Sequence, residues 1–251
     1  MAAISFLSLL KRELVRFLTN LNQMIFPVVV SSLLYLVIFH LVLSKTQIGG
    51  GQYISFLLPG IVMMAIINTA FANASFSLFI TRWTKHAESL FIIPLKPWHF
   101  VAAYLLSGLA RTLLTAVIIL AAAMFFLPVS FSNIFLLLGN LVAACILFGS
   151  LGIILALWAE TFEQLGLFTT FFLTPLTMLG GVFYSLNQLP EFAKTLTLLN
   201  PVFYLVDGFR AGMGGIAGFN PMIGLLISGV IGLAALALVI YLFSRGWKIK
   251  Q

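Results

Sequence analysis

Charge is what this sequence has least of. Asp, Glu, Lys and Arg make up 8% of its 251 residues, where soluble domains carry about 25%, and a chain so short of charge cannot dress a water-facing surface. Cysteine is nearly absent as well. Cys145 stands alone in an apolar run, which excludes an internal disulfide framework and a thiolate metal cluster and leaves a small packing residue. His40, His86 and His99 are scattered with no HExxH or comparable spacing, so no metal site is expected. No GxxxxGKS/T phosphate loop occurs, so the sequence has no means of hydrolysing ATP. "FGSLG" around Ser150 lacks the first glycine of a GxSxG elbow; without a nucleophile and base the chain does not read as an enzyme. The first twenty residues show no small-residue cleavage site behind a short apolar core, so no removable signal peptide is expected.

What fills the sequence instead is apolar: 62% hydrophobic residues with 25 Phe and a mean hydropathy of +1.16. A bilayer core about 30 Å thick takes roughly 20 apolar residues per helix. Six runs of that order occur, at about 24–43, 53–78, 103–127, 134–158, 165–186 and 221–243. Ahead of them, residues 1–20 place Phe6, Leu9, Leu10, Leu14, Phe17 and Leu18 near one stripe with Lys11, Arg12 and Arg16 displaced from it, the pattern of an amphipathic helix in the headgroup region. The third run carries Arg111. At the bilayer centre that residue would cost about 2.5–3.5 kcal/mol or more, so the span slides toward its C-terminal end and Arg111 is expected close to the cytoplasmic interface, snorkelling.

A net charge of +7 would suggest nucleic acid in a soluble chain, but here the basic residues sit at the ends of apolar runs, where they set orientation. Counted on alternate sides, Lys11, Arg12, Arg16, Arg82, Lys85, Lys96, Arg111, Arg245, Lys248 and Lys250 fall on one and Lys45, Lys194 and Arg210 on the other. The richer side is cytoplasmic, and six spans then leave both termini there. Residues 187–220 lie outside. A further crossing at 201–219 would bury Asp207 and Arg210 and turn the last span the wrong way. Two short helices, roughly Pro190 to Leu199 and Pro201 to Gly212 joined at "NP", read instead as an external re-entrant hairpin, with proline in first-turn positions and glycines as the stop. Asp207 and Arg210, three residues apart, are expected to pair at its water-facing edge.

The stretch "TFEQLGLFTTFFLTPLTMLGGVFYSLNQLPEFAKTLTLLNPVFYLVDGFRAGMGG", with "YISFLLPGIVMMAIINTAFAN" and the Arg82 to Pro97 loop, closely resembles the membrane subunit of type 2 ABC transporters through nearly the whole chain. The resemblance implies an all-α membrane protein, one exporter transmembrane domain over 1–251, with six transmembrane helices, the N-terminal interfacial helix and the re-entrant pair. It implies a homodimer of permeases in a bacterial inner membrane, with two ATPase subunits that bind the ATP and Mg while this chain holds no cofactor. Contact with the ATPase would fall on Arg12 and Glu13, on a coupling segment with Arg82, Lys85 and Glu88, and on Glu160 and Glu163 in the link "AETFEQ"; the acids also suit a purely solvated loop. The "GFR" of the family motif carries over to Gly208, Phe209 and Arg210, with Asp207 and Arg210 as external gate or brace. Asn68, Asn73, Asn140, Thr170, Phe171 and Met178 are polar or adaptable side chains at membrane depth, candidates for the path of an amphipathic drug, a lipid or a lipid-linked glycan, or for packing. A secondary transporter or an intramembrane enzyme working alone is the alternative. It calls for inverted repeats or a catalytic pair, and neither is visible.

Overall fold

The computed structural model describes residues 2–43, 47–48, 51–83, 97–125, 127 and 129–245. Lys85 and Glu88 of the expected coupling segment lie outside them. Helices α1 (Ala2–Thr19), α2 (Leu21–Met24) and α3 (Phe26–Leu43) lead to a two-residue antiparallel pair, β1 (Gln47–Ile48) with β2 (Gly51–Gln52). Then follow α4 (Tyr53–Trp83), α5 (Pro97–Ala123), α6 (Ile134–Trp158), α7 (Phe162–Val182), α8 (Glu191–Leu199), α9 (Pro201–Gly212) and α10 (Pro221–Ser244). Five of these, α4, α5, α6, α7 and α10, are long and apolar enough to cross a membrane, and α3 is a shorter apolar helix.

The helices start where the sequence supplies a cap. Asn133 accepts from the N–H groups of Phe135 and Leu136 ahead of α6, Asn200 from Val202 ahead of α9, and Asn220 from Met222 and Ile223 ahead of α10. Proline follows Asn200 and Asn220 at the first helical position, where its missing N–H is harmless.

Packing is centred on α4 and α6, whose apolar windows are 78% and 72% buried, against 22% for α10. The two approach closely at Gly152, where a Cβ would stand 2.6 Å from the Phe71 carbonyl oxygen and 3.2 Å from the Ser75 nitrogen. Against this pair lie α5, α3, α9 and α10.

α4 has 31 residues and α5 has 27, about 46 and 40 Å of helix where the hydrocarbon needs about 30 Å. The helices run past the spans expected to end at 78 and to begin at 103, reaching Trp83 and starting at Pro97. The surplus turns form an overhang at one end of the bundle, and α1 packs along it. Phe6 meets His99 at 5.8 Å between rings and Glu13 meets Ser77, while Met24 of α2 accepts from Arg111. This end carries Arg12, Arg16 and Arg82 and is here the basic end. The buried stripe of α1 is Leu9, Glu13 and Phe17, while Leu18, expected on the apolar stripe, is 55% exposed.

α7 is irregular for a stated reason. Pro175 offers no N–H to the ladder and its ring crowds the preceding turn. Wide π turns flank it at Thr169–Leu173 and Met178–Val182. The second ends at Gly180 and at Gly181, whose φ of +75° favours a residue without a Cβ.

Candidate functional site

At the end opposite the basic one, the carbonyls loosened along the last turns of α7 are taken by side chains. Asn200 Nδ2 donates to Leu176 O at 2.7 Å, Tyr184 Oη to Leu179 O at 2.6 Å, Arg210 Nη2 to Gly181 O at 2.8 Å, and Tyr53 Oη to Phe183 O at 2.6 Å. Two of those donors sit on α9 or at its cap and one at the start of α4, so the end of α7 is tied to both. The tie is close: a Cβ on Gly180 would stand 2.3 Å from Val202 Cγ1.

Arg210 is the centre of this cluster. Its Nε donates to Phe56 O at 3.3 Å, its Nη1 meets Asp207 Oδ1 at 3.4 Å, and its guanidinium lies over the Phe56 ring at 3.7 Å. Asp207 in turn accepts the N–H groups of Gly218 and Phe219, both at 2.9 Å, on the segment that leads into α10. The pair thus joins α4, α7, α9 and the approach to α10. Burial pushes the Asp207 carboxyl up from its usual value and the Arg210 guanidinium down to about 10, while their mutual attraction and the two backbone donors on Asp207 act the other way. Arg210 stays charged at neutral pH.

The expectation of a water-facing edge is corrected here. Both residues are 2% exposed, because α9 is covered by α4, α6 and α10 as well as by the end of α7. Asn140, 0% exposed, packs against Gly208 so closely that a Cβ there would stand 2.6 Å from its Nδ2. Tyr53, Phe56 and Asn200 were not singled out in the sequence. Only Asn200 left a signal, as a capping residue before proline.

At the basic end the charged candidates divide. Arg82 reaches back to the last turn of α6, donating through Nη1 to Ala156 O, to Leu157 O at 3.1 Å and to Ala159 O at 3.3 Å. A cation over the final carbonyls of a helix is favourable, and this guanidinium fastens α4 to α6. Glu13 is also committed inward: its carboxylate, 2% exposed, takes Arg12 Nη2 at 2.9 Å, Arg16 Nη2 at 3.2 Å and Ser77 Oγ at 2.5 Å. That corrects its expected place on a docking surface. Arg12 remains half exposed at the rim.

Glu160 and Glu163 are exposed on the link from α6 to α7. Thr161 caps α7 through the Gln164 N–H at 3.3 Å, and the Gln164 amide oxygen returns to the Glu160 N–H at 2.7 Å. This near-reciprocal cap makes the link rigid.

The six path candidates do not share a surface. Asn73 is buried and donates to Ser107 Oγ at 3.2 Å, Asn140 donates to Leu136 O at 2.8 Å, and half-buried Asn68 donates to Met64 O at 2.8 Å. Only the Asn73 bond joins two helices; Asn68 and Asn140 donate to the carbonyl one turn earlier in their own helix. Thr170, Phe171 and Met178 are exposed, the last two at 75% and 42%, along the outer face of α7.

Arg111 is corrected too. It is 6% exposed and donates Nη2 to Met24 O at 2.7 Å rather than reaching water. Among the described residues no group of three His, Cys, Asp or Glu side chains is placed to hold a metal.

Five long apolar helices, with a polar knot at one end and a capped charged link at the other, define a multi-pass membrane protein. The comparisons place it further: the model of the ABC-2 type transporter family matches residues 4–213, and the chain belongs to that family. It is 36% identical over 211 residues, 83% of this chain and 82% of the relative, to inner membrane transport permease YadH of Escherichia coli K12, and likewise to that of Shigella flexneri. It is also 26% identical over 179 residues, 68% of each chain, to nodulation protein J of Sinorhizobium fredii. The protein is accordingly a transport permease of the inner membrane and not itself an enzyme.

Proposed function

We propose that this chain is the membrane half of an ATP-driven exporter that works as a homodimer, with one ATPase docked beneath each copy. The carrying observation is that a member of the ABC-2 family contains no phosphate loop in its 251 residues, so ATP and Mg belong to a partner. The basic end faces the cytoplasm, and α3 joins the five longer helices as the sixth span of a single domain.

The pair α8 and α9 is a re-entrant hairpin from the external side. Its bend at Asn200 reaches Leu176, more than a turn short of the end of α7, whereas Gly212 O accepts the Ser132 and Asn133 N–H groups at the start of α6. A bend nearer the middle of α7 with the far end of α9 at the start of α6 supports a segment that enters and returns.

ATP-driven closure of the partner pushes on Glu160, Glu163, Arg12 and the segment holding Lys85 and Glu88. The rigid cap at Thr161 passes the movement into α7. The outer face of α7, with Thr170, Phe171 and Met178, lines the path between the two copies, and the substrate is amphipathic or lipid-like: a drug, a lipid or a lipid-linked glycan. The tie of Arg210 to Gly181 closes the external side between cycles.

Copurification of the chain with an ATPase encoded beside it, followed by ATP turnover with and without the permease in proteoliposomes, tests the reading. Stable association and stimulated turnover are expected. Substrate movement by the permease alone in ATP-free vesicles would sink it.

A further inference from the structure

The two wide turns of α7 are held in opposite ways. The second, Met178–Val182, is fixed from outside the helix: Tyr184 takes Leu179 O, Arg210 takes Gly181 O, and Val202 packs against Gly180. The first, Thr169–Leu173, is satisfied from within. Thr169 Oγ1 donates to Leu165 O at 2.9 Å, the Thr174 N–H bonds Thr169 O five residues back, and Thr174 Oγ1 reaches the same oxygen at 3.1 Å. Bonds of this kind travel with the helix and tie it to no neighbour. On the basic side of that turn the near limb, Phe162–Phe168, meets α4 through rings. Phe162 lies 4.7 Å from Phe79 and 5.8 Å from Trp83, and Phe168 lies 5.8 Å from Phe71. Ring pairs accept offset and edge-to-face arrangements over a range of separations, whereas the hydrogen bonds on the far limb, 174–182, fix one.

A turn closed by bonds to the fifth residue encloses one residue more than an α turn. Exchanging it for an α turn moves one limb relative to the other by one residue, about 100° and about 1.5 Å. Pro175 sets the balance. In an α turn its N–H would bond Phe171 O; the proline has no N–H to give, and its ring crowds that carbonyl, so the α form is denied the bond that would favour it.

We propose that Pro175 is the positioning residue of a hinge in α7: the turn at Thr169–Leu173 changes between its wide and α forms, and the near limb steps by one residue while the far limb stays tied. Exposed Phe171 and Phe172 lie in the turn and are re-aimed by the step, whereas exposed Met178 stays with the far limb. An apolar ligand spread over all three loses two rings at each step, a consequence that rests on the reading of this face as the transport path.

The test is crosslinking within the full chain in proteoliposomes, without ATPase or transport, so that its failure leaves the transport reading standing. In a Cys145→Ala background, Trp83→Cys is combined with Phe162→Cys or with Glu163→Cys, the position that takes the place of 162 after one step, and treated with a short bismaleimide. Pairing at 162 is expected to predominate. Pro175→Ala returns the N–H and should raise the ratio of pairing at 163 to pairing at 162 by about fivefold, the worth of one backbone hydrogen bond. Deleting Thr170 in that variant removes the extra residue, so the α turn forms with both limbs where they now stand, and pairing at 162 should return. A proline that only shapes the helix predicts no such change of register. An unchanged ratio in Pro175→Ala, or an equal gain in both pairings, overturns the proposal. Should Pro175→Ala fail to fold, deletion of Thr170 alone decides. Pairing at 162 kept with pairing at 163 lowered supports the hinge; loss of pairing at 162, or undiminished pairing at 163, overturns it.

Discussion

Two buried arginines stand at opposite ends of this bundle, and their surroundings differ in kind. Arg210 has Asp207 as counter-ion, two carbonyls and an aromatic face, so each of its neighbours depends on its charge. Among the described residues Arg111 has one carbonyl and no carboxylate. The first charge organises the protein around it, while the second is held by a single carbonyl. Burial alone, 2% and 6% exposed, does not distinguish them; the partners do.

The largest expected effect follows from that contrast. Arg210→Gln leaves Asp207 buried without its cation and should lower unfolding stability in detergent by about 3–5 kcal/mol, measured by denaturant titration of helicity. Arg111→Gln in zwitterionic detergent should change stability by no more than about 1 kcal/mol. Equal losses at the two sites would break the comparison.

Next in size, Gly208→Ala forces a methyl group against Asn140 and should cost about 1–3 kcal/mol. Asn140→Ala in the same chain should restore most of it; no rescue would mean that the close approach is not the cause. Tyr53→Phe removes the hydroxyl that holds Phe183 O and should cost about 1 kcal/mol, with a matching rise in hydrogen exchange at the end of α7. Unaltered exchange there would show that the other ties suffice.

The smallest effect on stability, and the sharpest on topology, comes from labelling. In a Cys145→Ala background, Ile216→Cys, at a position 66% exposed between α9 and α10, should react with a membrane-impermeant thiol reagent only from outside. Glu163→Cys should react only from the cytoplasm. The reverse pattern would invert the two ends.

Much of the helical frame was legible in the residue pattern. The run at 134–158 matches α6 at both ends, and the limbs of the expected hairpin match α8 and α9 to within a residue, because Asn-Pro caps and glycine stops are local signals. Overhangs are not local. Apolar content sets where hydrocarbon begins and ends, and a helix that continues past that boundary against α1 keeps its hydrogen bonds with no compositional mark. The inward partners of Glu13 and Arg82 were not legible for a related reason: the neighbour that accepts a charge near a span's end is known only from the fold, and Ser77 and the carbonyls of α6 are distant in sequence.

By itself the sequence determined the class of protein, the helices and the family, since length, hydropathy and capping chemistry act over a few turns. Only the tertiary structure decided what the charges do. Asp207 and Arg210 were placed at a water-facing edge because a pair three residues apart is cheapest there. They are buried instead because Gly181, Phe56, Gly218 and Phe219 arrive from separate elements to satisfy them, and an energy assembled from that many distant groups exists only once the chain has folded.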